Sequence, residues 1–174
     1  ADAETHDFGE SRYDMLVSRF GIMFFEDSIK AFQNLRRAAA TDAPGLFVAW
    51  RSPQENPFMT AAARAAQSMV SLPPQVPDPP GQVAFADAKR VESILEAAHW
   101  HHICIESLDF ECTFPESELV GYFTRLGPFG RGFPDLAEKT QARLMTVVRE
   151  AFEPFLFGDT VITNAACWQI KARA

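Results

Sequence analysis

The feature that most limits what this chain can fold into is an alternation near its start. An apolar run, a capped amphipathic helix and a second apolar run follow one another with short links. Tyr13-Asp14-Met15-Leu16-Val17-Ser18 is brief and mostly apolar, as a strand covered on both faces must be. Asp27 has the place of a helix N-cap, because Ile29, Phe32, Leu35 and Ala39 follow at helical spacing with Lys30, Asn34 and Arg37 opposite. A turn carrying Asp42, Pro44 and Gly45 stops that helix, and Leu46-Phe47-Val48-Ala49-Trp50 reads as a second buried strand ending at Arg51. Strand, helix and strand with links this short imply a crossover between parallel neighbours, and hence an α/β fold.

Further along, an alanine-rich helix is expected from about Pro57 to Val70. Five prolines in the nine residues Leu72 to Pro80 exclude helix or central strand, so residues 72–86 are expected to form a connector or lid within a single domain of residues 1–174. Asp87 caps a helix with Val91, Ile94, Leu95 and Ala98 on one stripe. From His101 to Phe114 the chain reads as strand, with Leu108, Phe110, Cys112 and Phe114 alternating against Asp109, Glu111 and Thr113. Pro115 can open a short helix reaching Arg125, followed by a turn at Gly127, Gly130 and Gly132. A longer helix from about Pro134 to Pro154 repeats Leu136, Thr140, Leu144, Val147, Val148, Ala151 and Phe152 on one face, and Thr160 to Ala172 is a final strand.

At 174 residues and 47% apolar composition, the chain suffices for one packed core. A net charge of -7 argues against a general nucleic-acid or anionic-membrane surface, which needs a basic patch. No apolar run reaches a membrane span, and the amino terminus has neither the basic nor the apolar region of a signal peptide, so a cytoplasmic protein is expected. Cys104, Cys112 and Cys167 are odd in number, lack metal spacing and sit among apolar neighbours, which suits buried reduced thiols. Strand alternation would send His101 and His102 to opposite faces, against a metal site.

The chain begins at Ala1 without methionine, which fits a processed terminus, a cut, or the first ordered residue of something longer. Strands at Tyr13 to Ser18 and Leu46 to Trp50 want covering on both faces and both edges, and a fold built only from these residues has an open apolar edge. Pairing with a second copy by sheet extension is therefore expected if nothing else covers it.

Several stretches together resemble class I, S-adenosylmethionine-dependent methyltransferases of the ubiquinone-biosynthesis-like type. They are Ala1-Asp2-Ala3-Glu4-Thr5-His6-Asp7-Phe8, then Tyr13-Asp14-Met15-Leu16-Val17-Ser18-Arg19-Phe20-Gly21-Ile22-Met23-Phe24-Phe25. Ala31-Phe32-Gln33-Asn34-Leu35-Arg36-Arg37, Pro44-Gly45, Trp50-Arg51 and Asn56-Pro57-Phe58-Met59 continue the likeness in the family's order. The resemblance implies the carboxyl-terminal two thirds of such a domain: a Rossmann-like, doubly wound sheet without its first strands, with an antiparallel last strand at Thr160 to Ala172.

By the same resemblance, the Asp2 carboxylate would accept from the adenine amine of S-adenosylmethionine while the Ala3 amide addresses a ring nitrogen, a donor–acceptor pair suited to that edge. Ser18, Arg19 and Phe20 would lie at the carboxyl end of a strand, where open α/β sheets place ligands. Arg19 would contact the cofactor's methionine end or an acidic substrate, and Phe20, Met23 and Phe24 would wall the substrate pocket. For Trp50-Arg51 and Asn56 the sequence leaves ligand contact and capping of the strand both open. A sulfonium is already an activated methyl donor, so alignment and desolvation supply much of the rate and no catalytic triad is required. A base, if one is needed, would be His6 or Asp14, and neither is singled out.

The departures weigh as much. The family's glycine-rich cofactor loop and its ribose-binding acidic residue have no counterpart, and Gly127, Gly130 and Gly132 do not follow a strand as such a loop must. The turn before the second apolar strand keeps one glycine, Pro44-Gly45-Leu46, where the family has two. Three readings result. One is methyl transfer to a small, apolar or neutral acceptor, impaired in this chain. Another is a non-catalytic fragment or interaction module that dimerises through its open edge. A third is a different doubly wound ligand-binding domain whose likeness is fortuitous.

Overall fold

A computed structural model of the chain describes residues 1–67, 69, 80–125 and 133–174. The proline-rich connector lies outside these residues up to Pro79, as does the turn at Gly127, Gly130 and Gly132.

The first apolar run becomes β1 (Leu16–Arg19), shorter than the sequence expects, with Tyr13 making only an isolated bridge to Ala39. A single 3-10 turn, Ile22–Phe24, leads to α1 (Ser28–Ala38). Asp27 is its N-cap, its carboxylate accepting from the Lys30 amide at 3.0 Å. The helix then delivers β2 (Pro44–Trp50), parallel to β1 with Leu16 level with Gly45 and Arg19 level with Val48. Next come α2 (Pro57–Ala66), with proline in its first turn, and α3 (Ala88–Ala97), capped by Asp87 through the Lys89 amide at 2.9 Å. The long β3 (His101–Pro115), α4 (Leu119–Arg125), α5 (Glu138–Phe152), β4 (Leu156–Phe157) and β5 (Thr160–Arg173) complete the order.

The strands form one sheet in the order β1-β2-β5-β3, with β4 paired to β5. The last strand runs antiparallel to β2, Phe47 level with Ile170 and Trp50 with Cys167. This is the α/β sheet with an antiparallel final strand that the sequence led us to expect.

The described residues gather into two compact units. The first lies within 1–52, 77–109 and 166–174, the second within 53–76 and 110–165. In the first, α1 and α3 cover one face of β2 and β5, burying Phe32, Val91 and Leu95 against Phe47, Ala49 and Ile170. Aromatic edges fill the centre: Phe32, Phe47 and Trp100 meet pairwise with ring centroids 5.4–6.1 Å apart, in the T-shaped arrangement that ring quadrupoles favour. The Trp100 indole Nε1 donates to the Phe32 carbonyl at 3.0 Å, so its one polar atom is satisfied. In the second unit Leu144, Val148 and Phe152 of α5 pack with Ala61 and Ala66 of α2, Leu119 and Phe123 of α4, and Val161.

Three local expectations are corrected. Inward residues of β3 are odd-numbered at Ile103 and Ile105 but even-numbered from Leu108 on, because Glu106 and Ser107 are both exposed and the alternation shifts between them; Phe110, expected inward, is exposed. His101 and His102 do not diverge, since His102 takes a left-handed backbone (φ 50°) and the two rings lie 5.0 Å apart, both exposed. Of the three free thiols only Cys167 is buried, while Cys104 is exposed on β3. The third cysteine, Cys112, is half-buried, and its carbonyl accepts from the buried Thr163 hydroxyl at 3.4 Å.

Candidate functional site

Two groups of the expected site residues fall in the first unit, and each is built by its own local structure. At the start of the chain, Asp2 to His6 form a turn in which the Thr5 and His6 amides donate to the Asp2 carbonyl. The exposed Asp2 carboxylate takes the Glu4 amide on one oxygen at 2.9 Å. This turn is tied to α1: the Asn34 side-chain amide donates to the carbonyls of Ala3 (3.0 Å) and His6 (2.9 Å). The Glu4 carboxylate accepts from the amides of Glu26 and Asp27, just before the helix. A carboxylate there complements both the free amides and the helix dipole.

The second group sits where β1 ends. Ser18 is half-buried and level with Phe47; a side chain on Gly21 would press its Cβ to 2.9 Å from the Ser18 hydroxyl, so this corner is closed by a glycine. Arg19 is exposed. Phe20 has a left-handed backbone (φ 63°), while its amide still donates to the Val48 carbonyl at 2.9 Å. That conformation is costly for a residue with a bulky side chain. It turns the Phe20 ring flat onto the Trp50 indole at the end of β2, with centroids 4.3 Å apart and planes 6° from parallel.

Below this pair lies Met23, 1% exposed, with its sulfur 3.3 Å from the Trp50 amide and its carbonyl accepting from Gly81. Phe24 is 54% exposed. Ser18, Arg19, Phe20 and Met23 thus gather at the carboxyl ends of the two parallel strands. His6 is exposed and stacks edge-on with Phe8, and Asp14 is exposed before β1.

The end of β2 also brings residues that the expected set does not contain. Arg51 pairs with Asp109 at 2.8 Å, its guanidinium 5.0 Å above the Trp168 ring. Trp168 in turn donates to the Ala86 carbonyl at 2.9 Å. The signal for Trp50 was in the sequence, a tryptophan closing an apolar strand; Trp168 and Asp109 are far away in sequence and only the antiparallel return of β5 reveals them.

The Lys30 amide and ammonium hold Asp27 below the ordinary carboxylate value. Away from the strand ends, the Lys171–Glu106 pair at 2.7 Å lowers the glutamate and raises the lysine, and burial raises the Tyr122 phenol. Among the described residues, no cluster of three or more His, Cys, Asp or Glu is placed to hold a metal ion, and no helix is long and apolar enough to cross a membrane.

No family model and no curated protein matches the chain. Solved structures do. A protein of Bacillus halodurans described as a candidate methyltransferase superimposes over 99% of this chain and 75% of its own length, with a TM-score of 0.54 at 15% identity. The YcgJ protein of Bacillus subtilis aligns over 99% and 68%, with a TM-score of 0.52 at 14% identity. A structure describing conversion of a disulfide bond into a thioacetal group during echinomycin biosynthesis aligns over 99% of this chain and 53% of its own, with a TM-score of 0.52 at 16% identity. With β1 and β2 parallel and β5 returning antiparallel between β2 and β3, the chain has the fold of the class I methyltransferases.

Proposed function

We infer that this chain serves S-adenosylmethionine-dependent methyl transfer to a small, apolar or neutral acceptor. The observation that carries the reading is the convergence of Ser18, Arg19 and Phe20 at the carboxyl end of β1 in a sheet of this topology, the edge at which open α/β sheets receive ligands.

The residues present fit part of the cofactor. The Asp2 carboxylate accepts from the Glu4 amide through one oxygen, and the other would accept from the adenine amine while the Ala3 amide addresses a ring nitrogen. Asn34 and Glu4 hold that turn against α1. At the other end Arg19 offers a cation to the methionine carboxylate or to an acidic substrate, and Phe20 and the exposed Phe24 offer apolar walls, with Met23 filling the space beneath. The bound cofactor would supply an activated methyl group; the chain's own residues would orient it and exclude water. The glycine-rich loop and the ribose-binding acid have no counterpart in this sequence, so binding is expected to be weak.

Titration calorimetry with S-adenosylmethionine tests this. A weak saturable isotherm is expected, and Asp2→Ala should weaken it about ten- to hundredfold, since a hydrogen bond to a charged group contributes roughly 1.5–3 kcal/mol. An isotherm that Asp2→Ala leaves unchanged overturns the adenine assignment, and the absence of any binding heat overturns the cofactor reading for this chain.

A second reading, a non-catalytic module that pairs with a copy of itself, is favoured by the edge strand β1, where Val17 is 68% exposed and Met15 just before the strand 50%.

A further inference from the structure

The chain returns to the strand ends at Gly81, whose amide donates to the carbonyl of Met23, in the turn that follows β1, at 2.8 Å. Further on, the Ala86 carbonyl accepts from the Trp168 indole at 2.9 Å, and Trp168 is level with Ala49 near the end of β2. Residues 81–86 thus reach from the turn after one parallel strand to the last residues of the other.

The two halves of this segment are tied unequally. Phe85 is 1% exposed and lies against Phe32 with ring centroids 6.2 Å apart, and Asp87 caps α3 just beyond it. The Trp168 indole that holds Ala86 is itself covered by the Arg51 guanidinium, which is paired with Asp109. Residues 81–84 have far less. They fold into a turn in which the Ala84 amide donates to the Gly81 carbonyl at 3.0 Å. Among the described residues, the Gly81–Met23 bond is their one hydrogen bond to the rest of the chain. Ala84 is buried, whereas Val83 is 40% exposed.

We propose that Gly81–Ala84 is a flap hinged at Phe85, and that its lifting opens an apolar pocket beside Met23 at the ends of β1 and β2. A segment held by one hydrogen bond and one buried alanine opens at the low end of a protein's range of local stabilities. The buried Phe85 and the held Ala86 stay in place, so opening stops at the hinge and leaves the sheet intact. The turn that the flap is latched to carries Ile22 and Met23, both 1% exposed, and uncovering it presents an apolar surface with a free carbonyl to fix a ligand's orientation. The structure is then the closed state. The device rests on the methyl-transfer reading only for the identity of what enters.

Thiol labelling of the full chain with iodoacetamide, read site by site by mass spectrometry, tests this, because Cys104 is exposed and Cys167 buried. Ala84→Cys adds a thiol under the flap. It should react about tenfold or more faster than Cys167 and about tenfold or more slower than Cys104, at a rate unaffected by low denaturant, since local opening exposes little surface. If Ala84→Cys does not fold, hydrogen exchange on wild type decides: the Gly81 and Ala84 amides should exchange ahead of the Val91 and Ala98 amides at α3. Labelling as slow as that of Cys167 or as fast as that of Cys104, or amides that exchange only together with those at α3, would each overturn the flap. S-adenosylmethionine that binds and leaves the labelling rate unchanged would overturn the pocket. Local opening without any binding of S-adenosylmethionine would uphold the flap and sink the methyl-transfer reading alone.

Discussion

Gly45 shows how tightly single atoms constrain the first unit. A Cβ there would stand 2.7 Å from the Phe47 ring and 2.8 Å from the Trp100 ring, and both rings are buried. Gly45→Ala should therefore destabilise the protein by about 1–3 kcal/mol, the usual cost of overpacking, measured by denaturant unfolding. Asp27 is held below 3.8, chiefly by the Lys30 amide. A carboxylate with a depressed folded-state pKa stabilises above its unfolded value and loses that contribution as pH falls through the folded one. Asp27→Asn keeps a good cap but no titrating group, so unfolding followed below pH 3.8 should show a shallower acid loss than wild type. Asp27 and Asp87 were legible because a cap has a local signature. The left-handed Phe20 was not, because its backbone is set by a stacking partner thirty residues on.

Among elements, α5 stands on three side chains at helical spacing. Leu144, at 0% exposure, meets α2 and α4 residues in the second core, and Leu144→Ala should cost about 2–5 kcal/mol by calorimetric or denaturant unfolding. The helix starts at Glu138, not near Pro134, because Phe133–Asp135 makes a separate 3-10 turn. Its apolar stripe was legible all the same, since periodicity survives an error in the boundary. The hairpin of β4 and β5 was missed. Leu156–Phe157 is too short to show alternation, although Gly158 with φ 65° before Asp159 is the chemistry of a two-residue hairpin turn. The parity shift in β3 has no sequence marker at all, since Glu106 and Ser107 read as ordinary outward residues in either register.

Across the whole molecule, the parallel pairing of β1 and β2 was the most legible property, because a capped helix between two apolar strands leaves little topological choice, whereas the place of β5 between β2 and β3 was not read. The gathering of residues into two units was not legible: β3 and β5 each run continuously through both, so no linker composition marks a boundary. The candidate site was half legible. Family-like spacing pointed to Ser18, Arg19 and Phe20, but Trp50 becomes part of it only through a parallel register that brings two strand ends level. At this scale belongs the open edge. Sedimentation equilibrium should show dimer increasing with concentration, and Val17→Lys, which places charge on the exposed edge, should shift the protein toward monomer. A strictly monomeric wild type would remove the self-pairing reading.

The place of β5 has a consequence for how the chain is made. Synthesis proceeds from the amino terminus, and both β2 and β3 leave the ribosome before the strand that lies between them. Pro44 must wait for Arg173 and Trp50 for Cys167, contacts that are distant along the chain and close slowly. During that interval the nascent polypeptide displays Phe47 and Ile103 beside unpaired backbone, surfaces of the kind that holding chaperones bind. Arrival of the fourteen residues of β5 is then the event that joins β2 to β3.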